Sequence, residues 1–100
     1  MERGGCVYIL TNKNKSTLYT GVTSDLQSRI YEHLNKKNIN SFTARYNLTS
    51  LVYFKFYPTI KEAIAEEKRI KAGNRKNKEK MINDLNPSWI DLFETEVQHW

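Results

Sequence analysis

The sequence predicts an α+β chain in the order β-β-α-β-α-α, and three patterns carry that reading. Two short β-rich runs, Val7-Tyr8-Ile9-Leu10 and Leu18-Tyr19-Thr20-Gly21-Val22, flank a polar turn-like stretch from Thr11 to Thr17. Leu26, Ile30 and Leu34 then recur every four residues, the spacing of one helix face. Residues 51–57 alternate as a third strand, with Val52, Phe54 and Phe56 on one face and Tyr53, Lys55 and Tyr57 on the other.

The first two runs read as a hairpin. A tip at Lys13-Asn14 places Tyr8 opposite Tyr19, so both phenols project from one face. Gly21 fits a strand end where something approaches the backbone closely. Thr23-Ser24-Asp25 supplies cap residues for a helix running to about Asn35, with Arg29 and His33 one turn apart beside its apolar stripe. Residues 41–50 fit no single template, and their Phe42, Arg45 and Tyr46 are open to packing or to ligand contact.

Pro58-Thr59 ends the third strand and starts a helix from about Thr59 to Ala72. A further basic helix spans residues 75–85, with Met81, Ile82 and Leu85 inward. Asn86-Pro87 stops it and begins a last turn whose apolar face is Trp89, Leu92 and Phe93.

One hundred residues predict one domain, 1–100, with an acidic segment from about residue 84. A 39% apolar share excludes a disordered chain, and one cysteine excludes an internal disulfide or a cysteine-based zinc cage. The N-terminus shows no secretory pattern, and no apolar run approaches the roughly 20 residues of a membrane helix. A cytoplasmic protein with no membrane association and no obligate protein partner is therefore expected. Residues 1–80 carry +9 and residues 81–100 carry −4, which suits a polyanionic partner such as nucleic acid or simply a solubilising surface.

Glu67 is the most informative single residue. On a helical projection it falls among Ile60, Ala63, Ile64 and Ile70, whereas Glu62 and Glu66 point away. A carboxylate on an apolar stripe needs compensation. An ion pair to Arg29 or Lys71, a helix shallow enough to reach water, or a hard divalent cation would each supply it.

These residues together resemble the GIY-YIG nuclease family. Cys6-Val7-Tyr8 is similar to the GIY element and Tyr19-Thr20-Gly21 to YIG, with ten residues between the two tyrosines. Leu26-x-x-Arg29 resembles the arginine helix, His33 falls where the family has His or Tyr, and Glu67 matches the metal-binding glutamate. Arg75-x-x-Lys78 and Asn86-Pro87-x-Trp89-x-x-Leu92 resemble the ending of small stand-alone bacterial members. Cys6 replaces the first glycine, Val7 and Thr20 the isoleucines, Val22 a lysine of some members and Gly73 a tryptophan. For the family's late helical asparagine, Asn74, Asn77 and Asn83 are loose candidates.

The resemblance implies a three-stranded antiparallel sheet flanked by helices and metal-dependent hydrolysis of phosphodiesters. It implies Mg²⁺ or Mn²⁺ at Glu67, Arg29 clamping the scissile phosphate, Tyr19 deprotonating water, Tyr8 positioning it and His33 assisting. A free phenol titrates near 10, so such a base would need a neighbouring cation or the metal. DNA is the expected partner, with DNA repair or processing as the context. Lys36, Lys37, Lys55, Lys68, Arg75, Lys76 and Lys78 are candidate phosphate contacts, and Tyr53 with Tyr57 a candidate stacking platform. The alternative is a binding module that keeps the fold without turnover.

Overall fold

The computed structural model describes residues 4–36 and 41–100. Three strands, β1 (Gly5–Thr11), β2 (Leu18–Thr23) and β3 (Ser50–Tyr57), form one antiparallel sheet in the order β2-β1-β3. Helices α1 (Leu26–Leu34), α2 (Phe42–Arg45), α3 (Ile60–Ala72), α4 (Arg75–Leu85) and α5 (Leu92–Thr95) surround it, and a 3₁₀ turn at Val97–His99 follows. The expected α+β class and β-β-α-β-α-α order hold, with α2 and α5 as additional short helices.

Every residue of β1 is buried, because the central strand is covered on both faces. Cys6, Tyr8 and Leu10 meet Leu26 and Ile30 of α1, and Phe93 and Val97 of the C-terminal segment. On the other face Val7 packs on Ala63 and Ile70 of α3, and Ile9 on Ile82 of α4. Gly5 lets α3 approach this closely, since a Cβ there would lie 2.9 Å from the Ile60 Cα.

The hairpin register differs from the expected one by two residues. Tyr8 pairs with Gly21 and Leu10 with Tyr19, because the connection is a six-residue loop rather than a two-residue tip. Asn12 organises that loop, its Oδ1 accepting from the amides of Ser16 (2.9 Å) and Thr17 (3.1 Å). A two-residue slip conserves side-chain parity, so both phenols still share a face. What approaches Gly21 is the Tyr8 ring itself, which occupies the space a Cβ would need.

The alternation expected in β3 fails at a bulge. Ile9 pairs with Tyr53 but Leu10 pairs with Leu51, leaving Val52 as the extra residue. Val52 and Tyr53 therefore pack together on Ile9 and Ile82, while Leu51 and Phe54 face the cluster around Tyr8. Phe56, assigned to the face of Val52 and Phe54, is 54% exposed. Tyr53, buried, is not available as a stacking surface, and Tyr57 lies beneath the Lys55 ammonium (5.4 Å to the centroid).

Caps fix the helix starts. Asp25 accepts from the Ser28 amide at α1, and Thr59 with Glu62 forms a reciprocal capping box at α3. In α4 Ile82 is buried and Met81 half-buried, but Leu85 is 53% exposed, contrary to expectation. The expected turn does begin at Asn86-Pro87, closed by the Trp89 amide on the Asn86 carbonyl (2.9 Å), but it does not continue as a helix. Asn86 closes α4, Trp89 adopts a left-handed φ of 53°, and the next helix starts only at Leu92, capped by Asp91. Among the described residues no helix is long and apolar enough to cross a membrane.

Candidate active site

Tyr8, Tyr19, Arg29 and His33 come together on one side of the sheet. The hairpin presents both phenols toward α1, and His33 on the last turn of that helix meets them. Ring centroids are 6.4 Å apart for Tyr8–Tyr19, 5.9 Å for Tyr8–His33 and 6.0 Å for Tyr19–His33. The Tyr8 hydroxyl lies 3.0 Å from His33 Nε2, and His33 Nδ1 lies 2.9 Å from Thr43 Oγ1 on α2. Thr43 Oγ1 in turn lies 3.2 Å from Ser41 Oγ.

The protonation pattern along this chain follows from its surroundings. Burial pushes the Tyr8 phenol up to about 12, with the neighbouring Arg29 guanidinium acting in the opposite direction. Tyr8 stays protonated at neutral pH and can accept from Arg29 while donating to His33 Nε2. That assignment leaves Nδ1–H of His33 to donate to Thr43. Arg29 retains a half-exposed guanidinium whose other neighbour is Glu32 at 3.7 Å. Such a group can meet a ligand from beside Tyr8.

Burial pushes the His33 imidazole down to about 4, the nearby Arg29 cation adds to this, and Glu32 opposes it. Tyr8, Tyr19 and Thr43 also face the ring. An unfolded histidine titrates near 6.5, so between about 6.5 and 4 the unfolded chain binds the extra proton. Stability contributed by neutral His33 is therefore complete above about pH 6.5 and lost as pH falls toward 4. With allowance for partial exposure, wild type should lose about 1–2 kcal/mol more than His33→Gln between pH 7 and 4.5. Urea unfolding of both proteins across that range reads the difference; parallel curves would contradict the buried neutral imidazole.

Glu67 arrives from the other side of the sheet, where α3 crosses β1 and β2. Of the expected apolar stripe only Ala63 and Ile70 are buried, whereas Ile60 and Ile64 are more than a third exposed. Ile60, Ile64, Glu67 and Lys71 instead form one i, i+3/i+4 row along the helix. Ile60 and Ile64 line a depression shared with Val22 and Arg29. Lys71 lines a second one with Leu18, Tyr19, Thr20, Phe42 and Lys78. Glu67 sits in the row between these two depressions.

The Glu67 side chain is 12% exposed, and its Oε2 lies 2.9 Å from Lys71 Nζ. The same ammonium stands over the Tyr19 ring, 5.8 Å from its centroid. Lys71 thus links the glutamate to the tyrosine cluster. Among the described residues no three His, Cys, Asp or Glu side chains gather as a metal cage. One carboxylate is nevertheless the donor set that suits Mg²⁺ or Mn²⁺, which keep several waters and take phosphate oxygens.

The candidate phosphate contacts disperse. Lys78 borders the Tyr19 groove, its Nζ donating to the Gly73 carbonyl (3.1 Å). Arg75 is occupied structurally: it pairs with Glu79 and donates to the carbonyls of Lys15 and Ser16, tying α4 to the hairpin loop. Lys36 donates to Asn47 Oδ1, Lys68 and Lys76 are exposed on α3 and α4, and Lys55 lies on β3, across the sheet from β2. Lys37 lies outside the described residues. Of the two ion pairs expected for Glu67, the one to Lys71 forms, and sequence reasoning missed only that the same ammonium reaches the Tyr19 ring. Thr43 had no local signal. The Thr20 hydroxyl, where the family motif has isoleucine, is buried with no partner among the described residues.

Comparison with known proteins agrees with this architecture. The family model described as the GIY-YIG catalytic domain matches residues 4–81, the span that holds Tyr8, Tyr19, Arg29, His33 and Glu67. A UPF0213 protein of Staphylococcus epidermidis is 37% identical over 78 residues, covering 78% of this chain and 93% of that protein. One from Clostridium perfringens is 39% identical over 77 residues, covering 77% and 81%. The solution NMR structure of a UPF0213 protein from Bacillus halodurans superposes with a TM-score of 0.56 at 27% identity, over 93% of this chain and 97% of that one. A family match across most of the chain, on a sheet that carries both tyrosine motifs side by side, makes this protein a member of the GIY-YIG family.

Proposed function

We propose that the chain is a divalent-metal-dependent endonuclease that hydrolyses phosphodiester bonds in DNA. The observation that carries this reading is the convergence of Tyr8, Tyr19, Arg29 and His33 on one sheet face with Glu67 at the β2 edge, linked by Lys71.

Each side chain has a role that its surroundings favour. Arg29, half-exposed beside Tyr8, would offer its N–H groups to two oxygens of the scissile phosphate. Tyr8, fully buried and protonated, would help position the water from beneath the groove by holding Arg29 and His33 in place, its own proton toward His33. His33 remains neutral and fixes that direction through Thr43. Tyr19, at the rim of the groove beneath the Lys71 ammonium, would as its phenolate take the proton of the attacking water. Glu67 is the residue that would hold Mg²⁺ or Mn²⁺, a cation supplying charge neutralisation at the phosphoryl oxygens and a more acidic water. DNA repair or processing is the context we propose for such an activity, by family analogy alone, with a cytoplasmic location.

One observation favours a second reading, a binding module without turnover. Lys71 already places a positive charge on Glu67 Oε2, where a metal would sit. Labelled single-stranded, duplex and branched DNA incubated with Mg²⁺ or Mn²⁺, and in parallel with EDTA, separates the two. Cleavage with metal that EDTA abolishes is the expected result. Salt-sensitive binding with no cleavage of any substrate would replace the endonuclease by the module.

A further inference from the structure

Helix α2 inverts the usual burial rule. It buries Thr43 and Ala44 and turns Phe42 outward, 47% exposed, with Tyr46 at its C-cap 46% exposed. The inversion has a local cause. Ser41 caps the helix, and Thr43 is drawn inward to His33 Nδ1, which leaves position 42 facing away from the core.

The outward ring is not isolated. Phe42 lies 6.1 Å from Tyr19 at an interplanar angle of 30°, a stacked arrangement, and 4.7 Å from Tyr46. The three rings form a short row running from the candidate catalytic tyrosine out to solvent. Phe42 also lines the groove that contains Lys71 and Lys78. A row of aromatic faces beside two ammonium groups is complementary to an unpaired nucleotide, with its base on the rings and its phosphate at the lysines. A closed duplex presents stacked bases that such rings cannot reach.

We infer that Phe42 and Tyr46 form a nucleobase-stacking subsite next to Tyr19, which selects DNA with an unpaired strand at the site of cleavage. The inference rests on the nucleic-acid reading of this same site and adds to it a substrate class. It also gives the stacking function to α2 rather than to β3, where Tyr53 is buried.

Binding in EDTA isolates the subsite from catalysis. Fluorescence anisotropy with a labelled single-stranded oligonucleotide and a blunt duplex of the same length is compared for wild type, Phe42→Ala, Phe42→Leu and Tyr46→Ala. Phe42→Ala should weaken single-strand binding roughly 5- to 150-fold, the range for losing one stacked base, and change duplex binding less than about twofold. Phe42→Leu, which keeps apolar bulk without a ring, should lose most of the same affinity. A strand carrying abasic spacers should bind wild type more weakly and show no further loss with Phe42→Ala. Equal losses on both substrates, no loss on either, or a Phe42→Ala penalty that persists on the abasic strand would overturn the subsite. Because no cleavage is read, absence of nuclease activity with base-dependent binding would sink the endonuclease reading alone.

Discussion

Glu67→Gln is expected to abolish cleavage while leaving the fold almost untouched. The substitution conserves volume, and the one ion pair it weakens is an i,i+4 contact to Lys71, whose side chain is half-exposed. Pairs of that kind are worth a few tenths of a kcal/mol, so denaturation midpoints should stay close to wild type. The rate of DNA cleavage should fall by about 10²–10³-fold or more, the scale for removing one preorganised electrostatic contact from a reacting centre.

Lys71→Met gives this experiment its discrimination, because it breaks the same ion pair from the other side. If Glu67 served only to hold Lys71, the two variants would behave alike. Under the endonuclease reading they diverge. Mn²⁺ binding, titrated without DNA, should be lost in Glu67→Gln and kept or strengthened in Lys71→Met, where the competing ammonium is gone. A Glu67→Gln enzyme that cuts as fast as wild type would remove the glutamate from the mechanism.

The parts of this molecule legible in the sequence are those written by local chemistry. The starts of α1 and α3 follow from Asp25 and from the Thr59/Glu62 box, both sequence-local devices. The shared face of Tyr8 and Tyr19 survived an incorrect register only because the slip was even. What was illegible depends on contacts between distant elements. The burial of Tyr53 follows from an extra residue opposite the Ile9/Leu10 step, and period-two counting has no way to register it. The place of Glu67 was half legible. A helical wheel put it among isoleucines, but two of those isoleucines line an open depression rather than the core. Likewise Thr43 became part of the site only because α2 packs its hydroxyl onto His33.

Asn86 shows the same limit and supports the largest stability prediction. Read locally, Asn-Pro looks like the start of a turn. In the fold the asparagine is 5% exposed and reaches across to β3, its Nδ2 donating 3.1 Å to the Val52 carbonyl at the bulge. The same amide donates to the Ile90 carbonyl (2.9 Å) and accepts from the Ile90 amide (3.1 Å). One side chain therefore pins the bulge and shapes the passage to α5, while the backbone N–H of the same residue closes α4 on the Ile82 carbonyl. Asn86→Ala strips all three bonds and leaves the Val52 carbonyl buried without that donor, at a cost of about 3 kcal/mol. For a domain of this size that lowers the melting temperature by roughly 12–24 °C. Asn86→Asp, which keeps the acceptor but loses the donor to Val52, should recover little of it. The consequence should extend to the site, since the bulge is what turns Leu51 and Phe54 onto the Tyr8 face. Thermal unfolding checks the claim directly, and a loss below about 1 kcal/mol would mean that the bulge stands without Asn86.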